Sequence, residues 1–585
     1  MPPASRAGGG RVGVVARRGR FTVVEPFFER GRRLTVDVKR GDVRPGELVL
    51  VSVARRNGRA RIERSLGRPN VAADVLEALL ADRGFERCFP EAVEAGGAEA
   101  ARSEDSGSRR DLTALPTFTI DPATAKDYDD AISAEPDGDG IRLFVHIADV
   151  VSYVAPGSAT DAEALERGNS VYLPGTVEPM LAAVLSTDAC SLVPGVPRRA
   201  VTVEMRTGPD GGISSTSAYR SLISSDERFT YDQVDSIFAG RGRAPEAVAE
   251  PLARARALAA ELRRKRVAGG ALGIETSEPE FEFDAEGRVV AAEDVEQTEA
   301  HGLIEELMIL ANEQVALNLQ TARRPAIFRV HEQPDPDSVE FLVAQLESLD
   351  IPTPPLPQQF GPTEAGRLVG EISVKLTEYM QATRRRGRAL PSLVLRSLKQ
   401  AVYSARNIGH AGLASPAYCH FTSPIRRYPD LCVHRALLAT LGDERGGPAA
   451  HELEEIAAHC TVTERSAMEI ERDADDICLA FLLERELNEH GWDRKFEGEV
   501  GGVIGAGAFV SFGATEGAPP YEGFLPARTI GGDYYDVNDE RTALIGRRTG
   551  RRLRLGDPVS VVVRSVEPPR GRVDLEPAGR QTAEP

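Results

Sequence analysis

A chain of 585 residues, 41% hydrophobic and 6% aromatic, exceeds what one hydrophobic core organises, so three or four domains of ordinary soluble character are expected. It holds no run of ~18 apolar residues and no uninterrupted apolar segment behind its basic start, which argues against a membrane-spanning helix or a secretory leader and predicts a cytoplasmic location. Six scattered cysteines (Cys88, Cys190, Cys419, Cys432, Cys460, Cys478) form no CxxC pair. That argues against a disulfide framework and a zinc cluster, so any metal should be oxygen-liganded.

The net charge of −18 is unevenly spread. Residues 1–66 carry 16 basic and 6 acidic side chains, a balance of +10; residues 494–576 carry 12 of each sign; the remainder therefore holds −28. A basic module ahead of an acidic body fits a protein that grips a polyanion locally.

In chain order, RVGVVARR, FTVVE, RLTVDV and ELVLVSV within 11–66 read as short strands separated by turn residues, which fits a small barrel of the oligonucleotide-binding type and a generic basic β-domain about equally. Residues 70–95 read as helical, with Val75, Leu76, Leu79 and Leu80 on a partial apolar face. GGAEAARSEDSGSRRD (96–111) reads as a polar linker. A large mixed region follows to about 492. It opens on strand-like TFTI, IRLFVHIADV and AVTVEMRT and closes on helices over 302–320, 365–383, 391–406, 430–441 and 450–490. From 494 the chain is β-rich again. Phe496, Phe509, Phe512, Phe524 and Tyr534 there are either core or a stacking surface beside Arg528, Arg547 and Arg548.

The most informative stretch is TIDPATAKDYDDAIS, which sets Asp121, Asp127, Asp129 and Asp130 within ten residues directly after the strand-like FTI. Two divalent cations about 3.5–4 Å apart need several converging anionic oxygens, and four aspartates at a strand end can supply them. An EF-hand fails, because Ala123 and Ala125 fall where ligands are required. An aspartyl-phosphate site on Asp127 and Asp129 lacks the apolar strand before it. On spacing alone a solvated acidic loop and a metal site stand equal.

The segment LPTFTIDPATAKDYDDAIS resembles the signature of the ribonuclease II/RNB family, its ribonuclease R branch in particular. VYLPGTVEPML, LSTDACSL, FTYDQV, LIEELMILAN and GHAGLASPAYCHFTSPIRRYPDLCVHR continue the likeness in the family's order. The resemblance implies a multidomain α+β protein: a central mixed α/β RNB catalytic domain flanked by a cold-shock-type and a ribosomal S-one-type barrel. The expected division is 1–68, a basic RNA-binding barrel; 69–111, a helical segment and linker; 112–492, the catalytic domain; 493–577, the second barrel; and 578–585, a disordered tail.

It further implies processive 3′→5′ hydrolysis of single-stranded RNA to 5′-nucleoside monophosphates with Mg²⁺, or Mn²⁺ in its place, and no obligate protein partner. Asp121, Asp127, Asp129 and Asp130 match the family's metal and catalytic aspartates. Arg426 matches the arginine that neutralises transition-state charge, with Arg427 beside it structural or on the RNA backbone. Tyr172 matches a ring that stacks on a terminal base and Tyr231 one beside the 3′-terminal nucleotide. Glu306 matches an acid that contacts the terminal ribose, on the edge of an apolar helix face that Glu305 points away from. Glu471 is either a further family acid or part of a solvated helix face.

Two departures stand out. Ile274 occupies the second wall of the base clamp, where an aromatic is usual, so short products should be held less tightly and Ile274→Phe should change the limit length. Only one barrel-sized module precedes residue 70, and the basic tail of some members is missing. Two other readings compete: a decayed nuclease that only binds RNA, from which lost aspartates would be expected, and a two-metal phosphodiesterase acting on DNA or small nucleotides.

Overall fold

Alternating side chains in the strand Gly140–Ala148 show how the centre is built. Leu143, Val145 and Ile147 join one apolar core with Phe118, Ile132, Val201 and Val203. On the opposite face His146 sits in a buried polar chain, with Ser133 at 3.1 Å and Thr202 at 2.8 Å. Burial pushes its pKa down to about 3, so the ring is neutral.

The computed structural model describes residues 10–579, apart from 20, 30, 37–42, 54–59, 86, 105–106, 272–276, 384, 386, 444–445 and 516. Within it a seven-stranded sheet runs in the order Glu227–Thr230, Phe118–Asp121, Asp130–Asp137, Gly140–Ala148, Pro197–Thr207, Ile213–Ser224, Arg110–Asp111. The two outermost pairings are parallel and the inner ones antiparallel. Helices Glu246–Ala268 and Glu299–Thr321 bring Leu252, Leu258, Leu303 and Leu307 onto the apolar face. A second core joins Ala148 and Ala200 to Leu181, Leu185, Tyr428 and Cys432, the last two on helix Tyr428–Thr440.

At each end a five-stranded barrel closes, as the α+β reading expects: Arg11–Arg18, Phe21–Pro26, Leu34–Val36, Ala60–Gly67 and Leu48–Val53, and later Lys495–Ile504, Gly507–Phe512, Tyr521–Pro526, Arg572–Pro577 and Pro558–Glu567. The 38-residue helix Leu453–His490, about 57 Å long at 1.5 Å per residue, is their common support. Its Ala467, Ile470, Ala474 and Ile477 pack with helix Ala72–Asp82 and with Val12, Leu48 and Leu66 of the first barrel. Further along, Leu483 and Leu487 enter the core of the second. Arg570 joins the barrels directly, donating to the carbonyls of Phe28 at 3.2 Å and Phe27 at 3.4 Å.

Two sequence expectations are corrected. The stretch 96–111 is not a linker throughout, because helix Glu91–Arg102 continues across both glycines. Gly97 faces Val184 and Leu185 so closely that a Cβ would stand 3.2 Å from Val184, and this contact repays a residue that normally weakens a helix. Over 391–406, the helix Ala389–Ser397 stops early and Val402–Ser404 pairs antiparallel with Phe328–Val330. Tertiary strand pairing overrides local helical preference there. Among the described residues no helix is long and apolar enough to cross a membrane. Residues 580–585 of the expected tail lie outside the described residues.

Candidate active site

The strand Phe118–Asp121 ends on Asp121, and its neighbour Asp130–Asp137 starts on Asp130, so the connection between them returns all four aspartates to one end of the sheet. The connecting loop is tightly held. Arg228 donates to the carbonyls of Pro122 (2.6 Å) and Ala123 (3.1 Å), and the Tyr128 hydroxyl donates to that of Ala125 (3.0 Å). Ser191 accepts from the Tyr128 amide at 3.0 Å and donates to the Lys126 carbonyl at 2.9 Å.

Burial dominates the electrostatics. It pushes the Asp121 carboxyl up to about 6, with Asp127 adding to the effect and Arg228 opposing it. Asp130 is pushed up to about 7, first by burial and then by Asp121. Burial also holds Asp129 well above the ordinary range despite Arg426. Asp129 accepts the Ile425 amide on Oδ1 at 2.9 Å, while its Oδ2 lies 3.7 Å from Arg426 Nε. That Oδ2 and Asp121 Oδ2 are buried without a hydrogen bond.

Orphaned, mutually repelling carboxylate oxygens are costly unless a cation or protons join them, and an all-oxygen donor set suits a hard divalent ion. Among the described residues no three histidine, cysteine, aspartate or glutamate side chains are gathered tightly enough to enclose an ion. Uncompensated like charges are expected to stand apart in this way. The donor chemistry fits the cation that the resemblance implies.

Around this cluster stand several of the other singled-out residues. Tyr172, in the strand Val171–Leu173, is 39% exposed, and its hydroxyl points to Asp127 at 3.5 Å. Its amide donates to Glu471 at 2.8 Å, so Glu471 is tied to the site and is not a free helix face. Arg426 is half-exposed, and its carbonyl accepts the Ser170 amide at 2.9 Å, joining its loop to the Tyr172 strand. Arg427 is instead bound through two nitrogens to the fully buried Asp430, the structural role set against that of Arg426.

Tyr231 opens helix Tyr231–Phe238 behind a Thr230–Gln233 capping box. Its ring stacks on His301 with centroids 3.7 Å apart, and burial followed by the field of Asp130 raises its hydroxyl pKa. Glu306 is buried and accepts Arg266 at 3.0 Å, while Glu305 lies at the surface. Ile274 lies outside the described residues. In the second barrel Phe496 and Phe512 are core, whereas Phe509 and Tyr534 are exposed and Phe524 lies 5.3 Å from Phe509.

Sequence reasoning missed His301, Arg266, Asn312 and Asp430. Asn312 left a trace, as a polar residue inside the apolar run LMILAN. The other three left none, because their partners are remote or are side chains of ordinary type.

Comparison with known proteins follows the same lines. A model of the RNB domain matches residues 109–443. The chain is 36% identical over 510 residues to the ribonuclease R of Escherichia coli, covering 83% of this chain and 60% of that protein. It is 34% identical over 552 residues to the ribonuclease R of Aquifex aeolicus, covering 91% and 75%. The solved structure of Mycoplasma genitalium RNase R in complex with ribose methylated single-stranded RNA superposes with a TM-score of 0.85 at 26% identity, over 98% of this chain and 90% of that one. The chain thus spans 60% of the length of its Escherichia coli relative.

Proposed function

The chain belongs to the RNB-domain family, alongside ribonuclease R proteins, and from that premise we propose that it is a cytoplasmic exoribonuclease hydrolysing single-stranded RNA from the 3′ end. It releases 5′-nucleoside monophosphates and uses Mg²⁺ or Mn²⁺. The observation that carries this reading is the carboxylate cluster itself: Asp121 and Asp129, each buried with one oxygen outside any hydrogen bond, beside the half-buried Asp130 and the half-exposed Arg426. The supporting division is a basic barrel to residue 68, a helical segment to 111, the catalytic domain to 492 and a second barrel to 577.

Asp121, Asp127, Asp129 and Asp130 would hold the cation. When bound, it supplies charge neutralisation at the phosphoryl group and a lowered pKa for the attacking water. Arg426 brings a guanidinium to the scissile phosphate, where charge grows in the transition state. Tyr172 stacks on a terminal base, and Tyr231, steadied by His301, orients the terminal nucleotide. Glu306, kept in place by Arg266, accepts from the ribose 2′-hydroxyl and so favours RNA over DNA. Cleavage confined to a site of this kind acts on threaded ends, and the barrels, with Phe509 and Tyr534 exposed, guide a single strand towards it.

The test is 5′-labelled single-stranded RNA incubated with Mg²⁺ and resolved by length, with Asp129→Asn in parallel. A ladder shrinking from the 3′ end, absent in the variant, is expected, and a circular RNA of the same sequence should survive. Intact linear RNA with retained binding would replace this reading with that of a non-catalytic RNA-binding protein. Equal decay of DNA would remove the role given to Glu306.

A further inference from the structure

The segment carrying Arg426 is held through alternate amides by three side chains, two from different helices and one from the aspartate loop. Asn312 Oδ1 accepts the Phe421 amide at 2.8 Å, Asp430 Oδ1 accepts that of Ser423 at 2.8 Å, and Asp129 Oδ1 accepts that of Ile425 at 2.9 Å. Asn312 and Asp430 are 3% and 0% exposed, so these bonds are shielded from competing water. Each holder is fixed in turn. Asn312 Nδ2 donates to the Tyr418 hydroxyl at 3.2 Å, and its own carbonyl accepts Cys419 Sγ at 3.4 Å. Asp430 is gripped by Arg427 at 2.9 and 2.8 Å. His434 completes the clamp, bonding the Phe421 carbonyl at 2.8 Å and stacking on its ring at 4.2 Å.

Asn312 also lies on the helix Glu299–Thr321, which presents His301 to Tyr231 and carries Glu306. At 1.5 Å per residue the three positions are spaced by about 8 Å and about 9 Å along one rigid axis. One helix therefore touches the ring assigned to the terminal nucleotide, the carboxylate assigned to its ribose and the root of the arginine loop.

We propose that Asn312 and Asp430 are positioning residues that set Arg426 against the carboxylate cluster, and that helix Glu299–Thr321 is the template fixing the distance between the bound 3′-terminal nucleotide and that arginine. The proposal rests on the reading of Arg426 as the phosphate-facing group. Neither residue touches substrate; both act through the loop. Displacement of a reacting group by about 1 Å costs on the order of 10²-fold in rate, which sets the size of the effect.

The experiment is single-turnover decay of labelled RNA in the full chain with Mg²⁺, comparing Asn312→Ala, Arg426→Ala and the double variant. RNA affinity and thermal melting are measured on each. Asn312→Ala is expected to slow cleavage on the order of 10²-fold with affinity changed less than about threefold, and to add nothing once Arg426 is already alanine. Asp430→Asn, which keeps an acceptor for Ser423, should lose less than Asp430→Ala at temperatures where both are folded. Equal losses from Asn312→Ala in the presence and absence of Arg426 would overturn the proposal, as would an Asp430→Asn loss matching that of Asp430→Ala. Unchanged cleavage by Arg426→Ala alone would instead overturn the assigned role of Arg426 and leave the exonuclease reading to its own test.

Discussion

Asp121 and Asp161 are equally buried, each 8% exposed, yet their surroundings are opposite. Asp161 is satisfied on both oxygens, accepting Gly157 N–H at 2.8 Å, the Tyr428 hydroxyl at 3.0 Å and Arg435 at 2.8 Å. Asp430 is likewise enclosed by Arg427 and the Ser423 amide. At the other end of the comparison, Asp121 and Asp129 each leave one buried oxygen without a hydrogen bond, that of Asp129 facing only the half-exposed Arg426 at 3.7 Å, and Asp130 shares the repulsion. At Asp161 and Asp430, which have every approach filled by the chain's own arginines, amides and hydroxyls, neutralisation goes with a structural role. Burial left uncompensated marks one that waits for something from outside the chain.

The largest expected effect separates the two kinds of carboxylate. Asp129→Asn keeps an acceptor for Ile425 and removes only charge, so RNA hydrolysis should fall by about 10³-fold, equivalent to roughly 4 kcal/mol, without a lower melting temperature. Single-turnover decay and calorimetry on the same sample measure both. Asp161→Ala should do the reverse. It strands Arg435 in the interior and should cost about 3–5 kcal/mol of stability in denaturant unfolding, while the rate per folded molecule stays within a few-fold.

A third test uses pH. The Asp121 and Asp130 carboxyls have folded pKa values near about 6 and about 7, above the ordinary 3.8, so the folded chain binds more protons than the unfolded one between these limits. Their contribution to stability is full below 3.8 and is lost as pH rises through about 6 to 7. Mg²⁺ binds the ionised forms and should restore it, by about 2.7 kcal/mol at a hundredfold excess over Kd near neutral or alkaline pH, and by much less in mild acid. Melting with and without Mg²⁺ across that range measures this, and Asp121→Asn with Asp130→Asn should abolish it.

The smallest effect lies in the barrels, where contact is diffuse. Phe509→Ala should weaken RNA binding by about 1–3 kcal/mol with the salt dependence unchanged. Arg17→Ala, in the basic barrel, should lower the slope of log K against log salt by about one while losing less affinity. Filter binding at several salt concentrations separates the two.

Much of this is legible in the amino-acid order. Short β-rich segments separated by turn residues pointed to the barrels, and FTI followed by four aspartates pointed to the site once the family resemblance set a metal site above a solvated acidic loop. The motif order identified the family. The aromatic-rich segments at the second barrel were visible too, but not which rings are core: Phe496 and Phe512 turned inward, 5.4 Å apart, while Tyr534 stayed 81% exposed.

By itself, then, the amino-acid order determined which residue types are available, the family, the barrels and the cluster of acids. Only the tertiary structure decided which acids are neutralised, that Asn312, Asp430 and Asp129 share the amides of one loop, and that 96–102 is helix and 402–404 strand. The physical reason is that, apart from local pairs such as Arg427 with Asp430, the decisive charge compensation and amide pairing join residues far apart in the chain. Asp129 meets Ile425 across 296 positions and Asp161 meets Arg435 across 274, separations at which local pattern carries no signal.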